Sequence, residues 1–180
     1  MALVEAGLDI LVADGLPGLT LRACAARAGV SHAAPAHHFA GMAGLLTAIA
    51  ARGFSIFADA MAHDRDLAGA GPRAALVGIC HGYLRFARES PALFSLMFNH
   101  AFEKTDDPDF KTSAASAYAV LAQACTPFRP VTKSPDSTEV MVWSLVHGLA
   151  CLLQAGQLAL PEHQMVPPDI ADILPNLELK

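Results

Sequence analysis

Apolar residues along this chain recur at three- and four-residue spacing, and glycine and proline cut the pattern into helical lengths. Residues 6–15 read as an amphipathic helix stopped by Gly15, and Thr20 can cap a second helix that ends at Gly29. Ser31 can cap a third, running to Phe39, and Leu45 starts a long one reaching about His63. The breaker Gly69-Ala70-Gly71-Pro72 precedes 72–88, where Leu76, Ile79, Cys80, Tyr83, Leu84 and Ala87 share one face. Ser90-Pro91 opens a short helix dense in aromatic bulk, with Leu93, Phe94, Met97 and Phe98. An acidic loop at 103–108 leads to an alanine-rich helix at 109–125. The segment 126–135 holds three prolines and reads as a loop. A long apolar helix follows from Asp136 or Ser137 to about Gln157, and a last short one at 169–174. No alternating strand pattern and no repeat occurs, so the fold class is all-α.

The stretch 20–39 carries the most information. Leu21, Cys24, Ala25 and Ala28 make one small apolar face, Gly29 supplies the left-handed corner, and Val30 can plug it. Two short helices crossing at such a corner are the layout of a helix-turn-helix, whose second helix is free to enter a DNA major groove. Thr20, Arg22, Ser31, His32, Ala33, His37 and His38 are then the candidate DNA contacts. Pro35, as the fourth residue of that helix, removes only its first internal hydrogen bond.

The order of these features resembles the TetR family of bacterial one-component regulators: a helix with a glycine stop, Leu19-Thr20-Leu21-Arg22, Ala28-Gly29-Val30-Ser31, His38-Phe39, then Leu45-Leu46. Downstream, Trp143-Ser144-Leu145-Val146-His147-Gly148-Leu149 resembles the Trp…His-Gly signature of that family's WHG-type C-terminal domain. The resemblance implies a helix-turn-helix head at 1–45, its first helix open to truncation, and a helical ligand-binding and dimerisation bundle at 46–180. It implies operator DNA, a small effector and a second copy of the chain as partners, with a repressor that lets go of its DNA when the effector binds. The chain departs from the family pattern at Ala36, where a phosphate-touching tyrosine is usual, and at His37 and Met42, where basic residues are common.

Charge sharpens that departure. The chain carries a formal net charge of −5. In residues 1–45, Arg22 and Arg27 stand against Glu5, Asp9 and Asp14, leaving −1. DNA affinity rests on neutralising phosphates, and His32, His37 and His38 are mostly neutral near pH 7. Two readings stay open here: a basic arm preceding Met1, or a ligand-binding dimeric module of the same fold whose DNA binding is impaired.

Hydrophobic residues make up 53% of the chain and charged ones 16%, enough for a large core and an interface besides. Residues 140–153 are apolar nearly all round and call for cover on both sides, which a second copy can provide. No run is expected to span a bilayer and no basic leader precedes the first helix, so the expected location is the cytoplasm. The four cysteines, Cys24, Cys80, Cys125 and Cys151, form no Cys-x-x-Cys pair and suit buried thiols in a reducing compartment. Phosphate loops, nucleophile elbows and zincin motifs are all lacking, so neither catalysis nor a cofactor nor a metal is expected. An apolar effector pocket draws on Tyr83, Phe86, Phe94, Met97, Phe98, Tyr118, Trp143 and His147.

Overall fold

A computed structural model describes residues 2–31, 39, 41–98, 105–158 and 168–180. Among them are eight helices: α1 (Ala2–Gly18), α2 (Leu21–Arg27), α3 (Gly41–Leu67), α4 (Pro72–Glu89), α5 (Pro91–Met97), α6 (Pro108–Cys125), α7 (Ser137–Gln154) and α8 (Ile170–Ile173). The all-α expectation holds. The glycine stop at Gly15 is a left-handed break at φ 68° inside α1, after which Pro17 starts one more turn.

The chain divides into two compact units. The first holds residues 1–56 and 90–116. In it α1 packs on α2 and α5, and buries Leu3, Ala6, Leu8, Ile10 and Leu11. Gly7 has no Cβ to block Ile49 of α3, whose Cδ1 would lie 2.5 Å from one. Glu5 and Arg52 pair at 3.0 Å across the same two helices, both well exposed. Phe54 of α3 meets Phe98 and Phe110 edge-on, with ring centroids 5.6 and 5.5 Å apart.

The second unit holds residues 57–89 and 117–180. Here α4 packs on α7 and α8, burying Leu76, Ile79, Tyr83, Val142, Val146 and Ile170. Gly78 and Gly82, one turn apart on α4, face the backbone of α3. A Cβ on Gly78 would meet the Asp64 carbonyl oxygen at 2.6 Å, and one on Gly82 that of Ala60 at 2.5 Å. The chain end is tied down. Arg73 donates to the carbonyls of Ala171 (3.0 Å), Leu174 (2.8 Å) and Pro175, while Phe128 and Leu179 form an antiparallel bridge. Every buried side-chain nitrogen and oxygen among the described residues has a partner.

One described helix, α3, is long and apolar enough to cross a membrane, with a mean hydropathy of 1.4 over its most apolar stretch. Leu45, Ile49, Phe54, Phe57 and Met61 of this helix are built into protein core instead.

Candidate nucleic-acid interface and ligand core

The head is built as its sequence dictates up to Ser31. Thr20 is extended, and its Oγ1 accepts the backbone N–H of Ala23 at 3.1 Å, so α2 starts there. At the other end Gly29 turns left-handed at φ 67°, which lets Val30 N–H reach the Ala25 carbonyl (3.0 Å) and Gly29 N–H that of Ala26 (3.2 Å). Two orphan carbonyls are satisfied and the chain leaves at a fixed angle. Cys24 and Ala25 are fully buried; Thr20, Arg22, Arg27 and Ser31 face solvent, and Val30 is half exposed rather than plugged into the corner. His32, Ala33, His37 and His38 lie outside the described residues.

The aromatic candidates fall into separate groups. In the first unit Phe94 and Met97 are buried and Phe98 is half-buried, with the Phe98 ring edge-on to Phe54 and 4.8 Å from that of Phe94. In the second unit Tyr83 is buried, edge-on to Phe57 at 4.6 Å, while Phe86 tilts on Phe57 at 5.1 Å. The Tyr83 hydroxyl lies 2.7 Å from Nδ1 of His147. Burial pushes the phenol well above its usual range and His147 below its own, so phenol and imidazole are both neutral. Tyr118 and Trp143, both partly exposed, tilt against each other with centroids 5.5 Å apart, and the Tyr118 hydroxyl donates to Glu139 at 2.8 Å. That hydrogen bond is the main reason the Tyr118 phenol rises to about 12.

Two family models match the chain. One described as bacterial regulatory proteins, tetR family, covers residues 3–49, and one described as tetracyclin repressor-like, C-terminal domain, covers residues 76–172, more than half the chain. The chain belongs to the TetR family. Its first match ends within α3, and its second contains Tyr83, Trp143 and His147. No curated protein matches.

Solved TetR-fold structures agree. A protein of unknown function from Rhodococcus sp. RHA1 is 26% identical over 89% of this chain and 85% of its own, with a TM-score of 0.74. A TetR family transcription regulator from Marinobacter aquaeolei VT8 is 19% identical over 99% and 95%, at a TM-score of 0.61. The multidrug binding protein EbrR, solved with imidazole, is 17% identical over 96% and 88%, at 0.58. The last two establish the fold alone. The chain is therefore a TetR family transcription regulator in fold.

Sequence reasoning missed one feature of the TetR body. A groove of about 740 Å³ is lined by His63, Asp64, Leu67, Val77, His81 and Arg85 among others. Arg85 grips Asp64 with two nitrogens, at 2.8 and 3.2 Å, and His81 Nε2 lies 2.8 Å from Asp169. The signal was present: His81 and Arg85 stand four apart on the polar side of amphipathic α4. The expectation of four buried thiols is also corrected. Cys24, Cys80 and Cys125 are buried, but Cys151 is exposed.

Proposed function

We propose that this protein is a ligand-responsive repressor. It binds operator DNA as a homodimer through the head at 1–45 and is released by a small apolar effector held in the body at 46–180. The observation that carries the reading is the capped α2 and its left-handed corner at Gly29, inside the residues matched by the family's N-terminal model. EbrR, a multidrug binding protein of the same fold, supports the effector half by analogy. Tyr83, Phe86, Trp143 and His147 offer one end of the effector a neutral hydrogen-bonding pair within an apolar wall. Tyr118, in the same unit, is a further candidate for that wall.

Pairing of two copies is proposed through α7. Val140, Trp143, Leu152 and Leu153 are 50, 39, 40 and 37% exposed, while Val142, Val146 and Leu149 face the core of their own subunit. Gly148 has open space above it, so a second helix can approach closely there. The protein would work in the cytoplasm and needs neither metal nor cofactor.

A gel-shift titration with the DNA flanking the protein's own gene, at low salt, tests the reading. A retarded band that a small apolar compound abolishes supports it. The net charge of −1 over residues 1–45 favours one alternative, a dimeric ligand-binding module that no longer reads DNA. No retarded band at any protein concentration would select that module.

A further inference from the structure

Tyr83 and Phe86, in the wall proposed for the effector, are buried on α4. A small molecule reaches them only when an element covering α4 moves. Helices α3, α7 and α8 all pack on it. The first two run for 27 and 18 residues, the last for four. A helix of four residues is not stable alone and persists only while docked.

The docking of α8 is mostly polar and lies at its two ends. At the start, the Asp169 carboxylate accepts the Ala171 N–H at 2.8 Å and lies 2.8 Å from Nε2 of His81 on α4. At the finish, Arg73 of α4 donates to the carbonyls of Ala171, Leu174 and Pro175, which so short a helix leaves without partners. Beyond it the chain is laid along the loop between α6 and α7. Arg129 N–H donates to the Glu178 carbonyl (2.8 Å) and Lys180 N–H to that of Pro127 (2.9 Å). Of residues 169–180, only Ile170 and Leu174 are buried. Few buried apolar side chains and solvent-facing polar ties are the marks of a segment that opens ahead of the whole fold.

Core lies next to these ties. Cys80, two turns after Arg73 on the same face of α4 and one turn before Tyr83, is fully buried. Burial drives its thiol to about 12, the Cys125 thiol adds to the shift and the Arg73 charge opposes it, so the three groups are neighbours. Cys125 is buried in turn, three residues before the Phe128 that bridges to Leu179. We propose that residues 169–180 are a strap that opens as one unit, while α4 and α7 stay folded, and admits a small uncharged molecule to the core beside Tyr83. Arg73 and Asp169 are its latches. Their loss frees the strap and removes no contact among α3, α4 and α7. The proposal rests on the effector half of the function proposed above and does not depend on DNA reading.

N-ethylmaleimide, itself small and uncharged, serves as the probe on the full chain at neutral pH, with each cysteine followed by peptide mass spectrometry. Deuterium exchange on the same protein reads which amides open. On the proposal, residues 169–180 exchange well ahead of α4 and α7 in wild type, and Cys80 labels while the α7 amides are still protected. Arg73→Ala and Asp169→Ala each speed Cys80 about tenfold, the usual effect of removing a hydrogen bond to a charged group, and leave Cys24 in the head as it was. Arg73→Lys, which keeps the cation, lies between Arg73→Ala and wild type. Removing a neighbouring cation by itself makes a thiol less reactive, so a faster Cys80 reports access rather than activation. Exchange of 169–180 in step with α4 and α7 in wild type overturns the proposal. So does Cys80 labelling that waits for α7 to exchange, or a folded Arg73→Ala with the wild-type Cys80 rate. Labelling through the strap upholds it even where no apolar compound releases DNA, a result that counts against the effector reading alone.

Discussion

The Tyr83 hydroxyl lies 2.7 Å from Nδ1 of His147 and so joins α4 to α7 inside the second unit. The bond is polar, lies against the aromatic wall of Phe57, and has no water path on the Tyr83 side, where the ring is 1% exposed. Tyr83→Phe keeps the ring and removes the hydroxyl that faces Nδ1. The expected loss is about 1 kcal/mol in urea unfolding. An unchanged midpoint would mean that the pair contributes nothing to the fold.

Gly82 lets α4 lie directly on α3, with the Ala60 carbonyl oxygen 2.5 Å and Met61 Cα 2.8 Å from where a Cβ would stand. Backbone cannot step aside as a flexible side chain can. Gly82→Ala is expected to cost about 1–3 kcal/mol by overpacking, despite alanine's better helix propensity. Thermal unfolding checks the sign, and a stabilised variant would contradict the packing described.

The hydrogen bond from Arg85 is the largest reason that the Asp64 carboxyl sits below its usual range. A depressed carboxylate adds stability that is present above its unfolded value and lost as pH falls through its folded one. Wild type should lose about 0.5–1 kcal/mol from this pair as pH drops below about 4, a figure kept small because Arg85 is partly in solvent. Asp64→Asn should lack that part of the acid loss. Urea unfolding over a series of acidic pH values reads the difference, and parallel curves would contradict it.

The α7 strip separates two kinds of leucine. Leu152 is 40% exposed and Leu149 is 7% exposed. Leu152→Glu is expected to yield folded single copies by light scattering, whereas Leu149→Glu should unfold the subunit that contains it. A Leu152→Glu protein with the same mass in solution as wild type would move the interface elsewhere.

Helix periodicity and caps made the scaffold legible. Residues 72–88 and 109–125 were expected as helices and are observed as Pro72–Glu89 and Pro108–Cys125, because strong apolar stripes end at proline or glycine breakers. Thr20 and Asp169 cap α2 and α8 through their side chains, as their residue types suggest. Ser90, equally plausible in sequence, makes no side-chain cap bond. Periodicity ran too long at the end of α7, which stops at Gln154, where Ala155 and the left-handed Gly156 end it. The site was less legible. An aromatic residue on an apolar stripe looks the same whether it fills core, as Phe94 does, or stands outward, as Trp143 does. The pairing of His147 with both Tyr83 and Cys151 depends on helix rotation and on α4 crossing α7, which one-dimensional spacing does not contain. The docking of the chain end through Arg73 and Phe128 is likewise a long-range match of single residues, with no local pattern to announce it.

The head's ability to hold DNA is the central claim, and the salt dependence of binding tests it most directly. Fluorescence anisotropy with a labelled duplex from the flanking DNA should give an affinity that falls linearly on logarithmic axes as salt rises. Arg22→Ala and Arg27→Ala should each flatten that slope by about 1 while leaving the melting temperature of the protein in place. No binding even at low salt, or binding whose slope neither arginine alters, would contradict the claim that this helix pair is the DNA-reading head.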